Sequence, residues 1–353
     1  MEWAWVVIAA AMLAVVVIVS MSVSVLLRSS QEGIEVLPTA IAALPTPVDA
    51  RTDLSALGGT LSDGQHVTLV DGRSIILQPW NGSSRFTVLV MGLDRRPGET
   101  GLSYRTDTMM LVSLDPRDHT MGILSIPRDL FVEVPGYNQL QRINTPMVLG
   151  ELQQPGYGPS LAMQTVQYNL GIRVHDYIAV DFNAFVSIID AIGGVDINIP
   201  YDIVDYEYPD MNFGYDPLIL SAGQQHLDGN TALKYARTRH GDNDFRRAER
   251  QQSVLYAIRD RVLDMNMLPQ LIMQSPTLLS ALSQNVYTGL SLDRIIQLAW
   301  YVKDIPRESI RTGVIDGAYI MNYTTAEGWA VLVPRRAQLG TLMTEVFGPN
   351  YSE

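Results

Sequence analysis

Two aspartates flank the loop between two apolar segments, and their positions suggest a metal site. Asp94 ends the segment FTVLVMGLD, and Asp107 lies near the start of the next one, TDTMMLVSLD. If these segments form neighbouring strands, both carboxylates lie at one edge of the sheet, where open α/β sheets bind ligands. Two carboxylates without nitrogen or sulfur ligands suit Mg²⁺, which is commonly held by one or two carboxylates, phosphate oxygens and water. Spacing alone slightly favours the structural alternative, in which each aspartate caps a strand or pairs with a nearby arginine.

Basic residues gather in one short stretch, although the whole chain carries a formal net charge of −12. In KYARTRHGDNDFRRAERQQ, an extended YARTR would place Arg237 and Arg239 on one face. On a helix with Asp244 as its N-cap, Arg247 and Arg250 would be neighbours, and their like charges would repel and oppose the helix dipole. A bound pyrophosphate would reverse these unfavourable terms, because phosphates accept paired arginine hydrogen bonds at helix N-termini. The stretch therefore favours a phosphate site over an exposed basic face balanced by nearby acids.

Two further arginines follow the apolar segments. Arg128 ends the segment TMGILSIPRD, where Pro127 stiffens the chain beside it. Its structural alternative is a salt bridge to Asp129 or another nearby acid. Arg142 lies in QRINTP, in the loop or helix that follows.

Several functional classes are excluded or disfavoured by composition. The chain has no cysteine, which excludes disulfides, zinc–thiolate sites and cysteine nucleophiles. The histidines never fall at metal-ligand spacing, and neither a G-x-x-x-x-G-K-[ST] phosphate loop nor a G-x-S-x-G motif occurs. An acidic chain of this kind also argues against a nucleic-acid binder, which is usually basic over its domain.

The order of the segments predicts a mixed α/β fold. The apolar runs from Phe86 onwards suit strands buried on both faces. Helices are expected over 160–170, from about Asp181, from Asp244, over 291–300 and over 335–346, and VDINI alternates as a strand does. Because strands and helices alternate and hairpins occur beside crossovers, we expect an α-β-α sandwich with a mixed central sheet in residues 86–353.

The N-terminal part of the chain predicts a membrane anchor. Trp3 to Leu27 carries no charge, and its length is enough to cross the roughly 30 Å hydrocarbon core of a bilayer. Residues 1–28 are therefore interpreted as a transmembrane helix, rather than a cleaved signal peptide, which would begin with basic residues. Residues 29–57 are rich in proline and small residues and suit a spacer. Residues 58–85 contain a hairpin signal at Asp71-Gly72.

A set of collinear motifs resembles the LytR–CpsA–Psr family of bacterial cell-envelope proteins. The matching stretches are VLVMGLDRR, RTDTMMLVSLD, SIPRDLFVEVPG, RIN, VDFNAFVSIIDAIGGVDINIP, GQQHLDGNTALKYARTRH and DFRRAERQQ. The resemblance implies an enzyme, a membrane-anchored and extracytoplasmic phosphotransferase of cell-wall assembly. It would transfer a glycopolymer from a polyprenyl-pyrophosphate carrier to peptidoglycan through a phosphodiester, with Mg²⁺ as cofactor and no nucleic-acid partner.

The resemblance also implies roles for individual residues. Asp94 and Asp107 match the aspartates that hold Mg²⁺, and we take Asp94 as the candidate proton acceptor. The lipid tail would lie between sheet and helices, against the 182–192 helix and strand residues such as Val88, Val90 and Leu111. The candidate catalytic residues are Asp94, Asp107, Arg105 and Arg128. The candidate pyrophosphate-binding residues are Arg128, Arg142, Arg237, Arg239, Arg247 and Gln251.

Two departures from the family pattern stand out. Arg142 occupies the place of a lysine, so its phosphate contact is expected to survive with altered geometry. Arg246 falls where a glycine is common and is interpreted as a surface residue.

The alternative function is a polyprenyl-pyrophosphate-binding or hydrolysing envelope protein without ligase activity. A transcription regulator would need a basic DNA-binding module, and no helix-turn-helix pattern is evident.

Overall fold

The computed structural model describes residues 62–95, 99–210, 214–239, 244–264 and 267–352. The predicted anchor over 1–28 and the spacer over 29–57 lie outside these ranges. Within them, no helix combines the length and the apolar character needed to cross a membrane.

The described residues form sixteen strands and eight α-helices. The strands are β1 His66–Thr68, β2 Ser74–Ile76, β3 Phe86–Leu93, β4 Thr106–Asp115, β5 Thr120–Ile126, β6 Phe131–Glu133, β7 Leu140–Arg142, β8 Asp176–Val180, β9 Val195–Ile199, β10 Ile203–Asp205, β11 Leu218–Leu220, β12 Gly223–Leu227, β13 Val286–Thr288, β14 Ile310–Val314, β15 Ile320–Thr324 and β16 Ala330–Pro334. The helices are α1 Pro146–Gln153, α2 Gly158–Leu170, α3 Phe182–Ala191, α4 Gly229–Arg237, α5 Asp244–Asp264, α6 Leu268–Leu282, α7 Leu292–Val302 and α8 Arg336–Phe347.

Six of the strands build a mixed central sheet in the order β13-β8-β3-β4-β5-β14. The pairs β3–β4, β4–β5 and β13–β8 are antiparallel, whereas β3–β8 and β5–β14 are parallel. The prediction of a mixed sheet is therefore confirmed. The ends of β3, β5, β8 and β14 meet the start of β4 at one edge, so loops that are distant in sequence come together there.

Successive side chains of the central strands point to opposite faces of the sheet, and an apolar core lies on each face. On β3, Val88 belongs to one core, and Leu89 and Met91 belong to the other. The first core is closed by buried residues of α3 to α7, and the second by residues of α1, α2 and α8. Strands that are buried on both faces lack polar alternation, which explains the continuous apolar runs in the sequence.

The predicted helices are present, and their capping residues account for several ends. Asp181 precedes α3 and its carboxylate accepts a hydrogen bond of 2.9 Å from the N–H of Ala184. Ser291 caps α7 in the same way. Helix α2 ends at Gly171, whose φ of 70° is a left-handed conformation that suits glycine.

The predicted N-terminal hairpin is also present and packs on the main domain. Strands β1 and β2 pair antiparallel around Asp71-Gly72, with Val67 opposite Ile75. Val67 and Trp80 are buried in the first core, and the Trp80 N–H donates to the carbonyl of Gln297 at 2.9 Å. These contacts attach the segment to α7.

Candidate functional site

A polar cavity of about 540 Å³ opens at the sheet edge where β3 and β5 end and β4 begins. Its walls bring together all four candidate catalytic residues and two of the candidate pyrophosphate ligands, Arg128 and Arg142. The lining residues are Asp94, Arg105, Asp107, Arg128, Asp129, Arg142, Asn144 and Ala330. The expectation that Asp94 and Asp107 share one edge is confirmed by this geometry, while their roles stay predictions.

The register of β3 and β4 explains how the two aspartates meet. Leu93 lies opposite Thr106, and the pairing shifts between Gly92 and Leu93. A Cβ on Gly92 would lie 3.0 Å from the Cβ of Thr108, so a larger residue would push the two strands apart. The Asp94 N–H then donates to the carbonyl of Arg105 at 3.3 Å. The two carboxylates therefore extend from adjacent strands into the same cavity.

Asp107 is held by two side chains that follow other strands, Arg128 after β5 and Asn144 after β7. Its Oδ2 forms an ion pair with Arg128 Nη1, and its Oδ1 accepts a hydrogen bond of 3.3 Å from Asn144 Nδ2. Arg128 also pairs with Asp129 at 3.4 Å, so the expected Asp129 salt bridge exists beside the contact with Asp107. Burial disfavours the charged guanidinium, but Asp107 and Asp129 outweigh it and raise the pKa of Arg128. Arg128 therefore stays cationic in the cavity.

Asp94 differs from Asp107 because one of its oxygens has no partner. Its Oδ1 is buried and accepts no hydrogen bond from the part of the chain that the structure describes. The neighbouring Arg95 does not satisfy it, since that guanidinium pairs with buried Asp181 and donates to the carbonyl of Gln284 at 2.7 Å and to the Tyr287 hydroxyl at 3.0 Å. A buried acceptor without a donor is costly, and such a group is a candidate for ligand or metal binding.

Arg142 closes the far wall of the cavity. It is the last residue of β7, rather than part of a loop or helix, and its Nε lies 3.0 Å from Asp129 Oδ1. Its Nη2 donates to the carbonyl of Ala330 at 3.0 Å, which ties β7 to the β15–β16 hairpin. Arg105 is exposed at the rim and forms no ion pair within the described ranges.

A second cavity, of about 120 Å³ and almost wholly apolar, lies between the sheet and helices α3, α4 and α5. Val90, Phe182 and Ile188 line it, as expected for the proposed lipid pocket. Val88 is on the same face of the sheet but is not part of the lining. Leu111 was wrongly expected here, because it lies in the core on the opposite face.

Gln251 and Thr108 lie between the apolar cavity and Asp107. Gln251 Nε2 donates to Thr108 Oγ1 at 3.0 Å and to the carbonyl of Ala236 at 3.3 Å, and both residues line the apolar cavity. They also line a narrow space of about 20 Å³ with Asp107 and Arg247. Arg247 Nη2 donates to the backbone carbonyl of Asp107 at 3.4 Å. A continuous wall therefore leads from the apolar cavity to the carboxylates.

The stretch YARTR was wrongly expected to be extended. Helix α4 continues through Arg237, and its carboxyl end is at Thr238. The guanidinium carbon of Arg237 lies 3.9 Å from the centre of the Phe182 ring, and Nη1 donates to the Tyr208 hydroxyl at 3.0 Å. Arg237 lines the apolar cavity and also a separate cavity of about 310 Å³, which it shares with Arg239. Arg239 is therefore not in the wall around Asp107.

Most charges of the arginine stretch have carboxylate or carbonyl partners. Asp244 is the first residue of α5 rather than its N-cap, and its Oδ1 lies 3.1 Å from Arg239 and 3.2 Å from Arg247. Arg246 is exposed and pairs with Glu249, in agreement with its interpretation as a surface residue. Arg250 is buried and donates to the carbonyls of Tyr235 and Thr238, so it holds the end of α4 in place.

Three site residues were not predicted. Asn144 is buried and positions Asp107, Thr108 positions Gln251, and Asp129 links two arginines. Asn144 lies in the RIN motif and Thr108 follows Asp107, so their positions offered a signal. Their polar side chains, however, look like ordinary strand or loop residues in the sequence alone.

Comparison with known proteins places this site in context. The model of the LytR_cpsA_psr family matches residues 50–346. Polyisoprenyl-teichoic acid–peptidoglycan teichoic acid transferase TagU of Oceanobacillus iheyensis is 33% identical over 227 residues, which are 64% of this chain and 65% of that protein. TagU of Enterococcus faecalis is 29% identical over 221 residues, 62% of this chain and 66% of that protein. The chain thus spans slightly less than two thirds of the length of these relatives.

Solved structures agree on the fold. The crystal structure of B. subtilis TagV has a TM-score of 0.57 and 25% identity, and the match covers 75% of this chain and 98% of that one. A structure of TagT bound to LI-WTA has a TM-score of 0.57 and 26% identity, with 80% of this chain and 98% of that one covered.

Proposed function

Because the chain belongs to the LytR–CpsA–Psr family, we propose that it is a glycopolymer–peptidoglycan phosphotransferase. It would take a teichoic acid or a similar glycopolymer from a polyprenyl-pyrophosphate carrier and attach it to a hydroxyl of peptidoglycan. The observation that carries this proposal is the connected wall between an apolar cavity and a charged one. Thr108 and Gln251 line the apolar cavity and the narrow space, and Asp107 lines the narrow space and the charged cavity. A pyrophosphate lipid has the same division, with an anionic head beside a long apolar tail. The printed names of the TagU relatives and of TagT bound to LI-WTA support this class of substrate.

The donor would bind across that wall. Its tail would lie against Val90, Phe182 and Ile188, and its pyrophosphate would lie towards Arg247 and Arg128. Buried apolar surface contributes affinity roughly in proportion to its area, about 25 cal/mol per Å². Arginine forks that hydrogen-bond phosphate oxygens then fix the position of the reacting phosphorus.

A magnesium ion fits the carboxylates of this cavity. Asp94 offers a buried oxygen that receives no hydrogen bond from the described residues, Asp107 offers a partly exposed carboxylate, and neither histidine nor cysteine is among the residues that line the cavity. No group of three or more metal-ligating side chains is found within the described ranges, so phosphate and water oxygens would have to complete the ligand set. When bound, the ion would act as a Lewis acid that neutralises phosphate charge.

The transfer step would proceed by in-line displacement at phosphorus. The acceptor hydroxyl oxygen forms a bond to the phosphorus that carries the glycan, and the bridging P–O bond to polyprenyl phosphate breaks. Asp94 would accept the hydroxyl proton, because its carboxylate lines the cavity beside Asp107. Arg128 and Arg105 would stabilise the charge on the phosphoryl oxygens, and polyprenyl phosphate would leave along the apolar wall.

We also propose that residues 1–28 anchor the chain in the bacterial membrane and that the domain from 86 onwards lies outside the cytoplasm. Both peptidoglycan and the head of the carrier lipid would be accessible there. Protease treatment of intact protoplasts should then digest the domain. A domain that stays protected until the membrane is lysed would contradict this location.

The decisive experiment incubates the purified full chain with a polyprenyl-pyrophosphate-linked glycan, Mg²⁺ and peptidoglycan oligomers. A product in which the glycan is joined to peptidoglycan through a phosphodiester is the expected result. Release of free phosphoglycan instead would identify a hydrolase. A donor lipid that is bound but not altered would identify a binding protein. Either of these results would refute the proposed transferase function.

A further inference from the structure

The β15–β16 hairpin exposes two large aromatic side chains beside the polar cavity. Trp329 is 47% exposed and Tyr323 is 54% exposed. The other tryptophans in the described ranges, Trp80 and Trp300, are buried at 5% and 3%. An exposed tryptophan brings a large apolar surface into contact with water, and such residues are enriched where a protein binds a partner.

The turn that carries Trp329 is well ordered by its own hydrogen bonds. The Thr325 N–H donates to the Trp329 carbonyl at 2.9 Å, and the Trp329 N–H donates to Thr325 Oγ1 at 3.2 Å. Gly328 accommodates the turn with a φ of 84°, a left-handed conformation that favours glycine. Because the backbone is held in place, little conformational entropy of this turn would be lost when a ligand binds.

The hairpin is also fastened directly to the cavity wall. Ala330, the residue after Trp329, lines the cavity, and its carbonyl accepts the hydrogen bond from Arg142 at 3.0 Å. The Leu332 N–H donates to the carbonyl of Asp129 at 3.0 Å. The start of β16 therefore forms part of the cavity wall.

This side differs from the one that the lipid would use. From Asp107, the wall through Thr108 and Gln251 leads to the apolar cavity, whereas the wall through Asp129 and Arg142 leads to the hairpin. In a transfer between two substrates, the acceptor must approach where the carrier lipid does not lie. The hairpin side meets this condition.

We propose that Trp329 and Tyr323 form a docking surface for the acceptor, and that its occupant is a β-1,4-linked N-acetylhexosamine chain. This inference rests on the proposed transferase function. The flat rings of such a chain have apolar C–H faces that pack on aromatic side chains, while its amides and hydroxyls hydrogen-bond nearby polar groups.

Charge at the tip of the hairpin favours this occupant over the donor glycopolymer. Glu327 lies in the turn, and a hydrogen bond from Thr325 lowers the pKa of its carboxyl, so it is ionised at neutral pH. A polyanionic chain such as a teichoic acid would be repelled by that carboxylate. An N-acetylhexosamine backbone carries no phosphate and meets no such repulsion.

A binding experiment tests the surface without any transfer reaction. The tryptophan fluorescence of the full chain is titrated with the hexasaccharide of β-1,4-linked N-acetylglucosamine. A sugar stacked on Trp329 should shift its emission to shorter wavelength and protect it from acrylamide quenching. The difference between the wild type and Trp329→Phe isolates this residue from Trp3, Trp5 and the buried tryptophans. Identical titrations for the two proteins, or no response in either, would overturn the proposal.

A kinetic experiment then separates acceptor from donor. Trp329→Ala should raise the KM for peptidoglycan oligomers about 10-fold, which corresponds to about 1.4 kcal/mol, and leave the donor KM unchanged. Trp329→Phe, which keeps a ring, should lose less. Tyr168→Ala is the matched control, because Tyr168 is an exposed aromatic residue of α2 that lies outside the cavity lining.

The outcomes distinguish this proposal from the function on which it rests. A higher donor KM with an unchanged acceptor KM would assign the surface to the glycopolymer and overturn the proposal. If the wild type transfers nothing but Trp329 still responds to the hexasaccharide, the glycan surface stands and the transferase function fails. If transfer occurs and Trp329→Ala behaves like Tyr168→Ala, the transferase function stands and the surface is refuted.

Discussion

Replacement of Asp107 by asparagine tests the centre of the proposed site. The side chain keeps its shape and can still accept one hydrogen bond from Arg128 or Asn144, but it loses its charge. The cavity is lined by three aspartates and three arginines, so the change leaves it with one net positive charge. A pyrophosphate donor should therefore bind at least as well to Asp107→Asn as to the wild type in the absence of magnesium. The chemical step should suffer, because a fixed charge that acts on the reacting phosphate is lost.

The magnitudes follow from the burial of the pair. The side chains of Asp107 and Arg128 are each 26% exposed, so their ion pair is partly screened by water. Such a pair contributes at most about 1 kcal/mol to folding, and Arg128 keeps its contact with Asp129. The expected fall in Tm is therefore less than about 4 °C. Loss of one preorganised electrostatic contact typically lowers kcat by about 100-fold to 1,000-fold.

The assay measures kcat for phosphodiester formation across a magnesium titration, together with donor binding and Tm. Asp129→Asn is the matched control, since Asp129 lines the same cavity, pairs with the same Arg128 and undergoes the same change of charge. We expect it to lower kcat less than about 10-fold, because Asp129 contacts the arginines rather than the reacting groups. Equal losses in the two variants would show that net charge, and not the position of Asp107, controls the rate. A kcat close to the wild-type value in Asp107→Asn would refute the assignment outright.

Three further predictions address other parts of the chain. Arg247→Ala should weaken donor binding by about 10-fold to 100-fold, because it removes a charge-assisted hydrogen bond, and unchanged affinity in a titration with donor lipid would remove it from the site. Arg250→Met should lower the free energy of unfolding by about 3 kcal/mol because two buried carbonyls lose their donor, whereas the exposed Arg246→Met should change it by less than about 0.5 kcal/mol in the same denaturant titration. Burial and the charge of Arg173 lower the pKa of His175 below its ordinary 6.5, so the unfolded chain takes up this proton first and stability falls as the pH drops below about 6.5. His175→Asn, which keeps a hydrogen-bond acceptor but cannot titrate, should lose that part of the fall when unfolding is measured at about pH 7.5 and pH 5.5, and an identical fall in both proteins would contradict the assignment.

The sheet edge was the part of the site that the sequence could predict. Alternation and apolar runs locate the strands, and a strand end fixes where the next side chain lies, so Asp94 and Asp107 were expected together. This inference uses only the positions of the strand ends along the chain and the order of adjacent strands. It needs only that β3 and β4 be neighbours, which short connections favour. The family resemblance added Arg128 to the two aspartates.

The helical conformation of YARTR could not be predicted in the same way. Tyr235 and Ala236 are buried against other helices, and Arg250 of α5 holds the carbonyls at the end of α4. These contacts are made by residues distant in sequence, and tertiary contacts override local propensity at such sites. The assignment of Leu111 to the lipid pocket failed for a related reason, because a strand residue can face either side until the register is known.

The arginine stretch is compatible with the proposed phosphate binding for a different reason from the one its composition suggests. Crowded like charges appeared to require an anion, yet Asp244 already pairs with Arg239 and Arg247, and Arg250 donates to backbone carbonyls. The crowding is therefore relieved without a ligand, and it does not by itself indicate one. What matters is that these ion pairs are only partly buried. A partly exposed pair contributes little to stability, so replacing its carboxylate with a phosphate costs little.

Arg247 illustrates this exchange. Its guanidinium contacts a carboxylate of its own helix and the backbone carbonyl of Asp107, and it forms part of the wall that leads to the apolar cavity. A pyrophosphate in that position would offer more acceptor oxygens than Asp244 does and would bring a second arginine, Arg128, into the same contact. The carboxylates would then hold the arginines in place while the site is empty of donor. An acidic chain can therefore hold a basic site in place without a free basic surface, and the proposed donor would gain affinity because the arginines are already positioned.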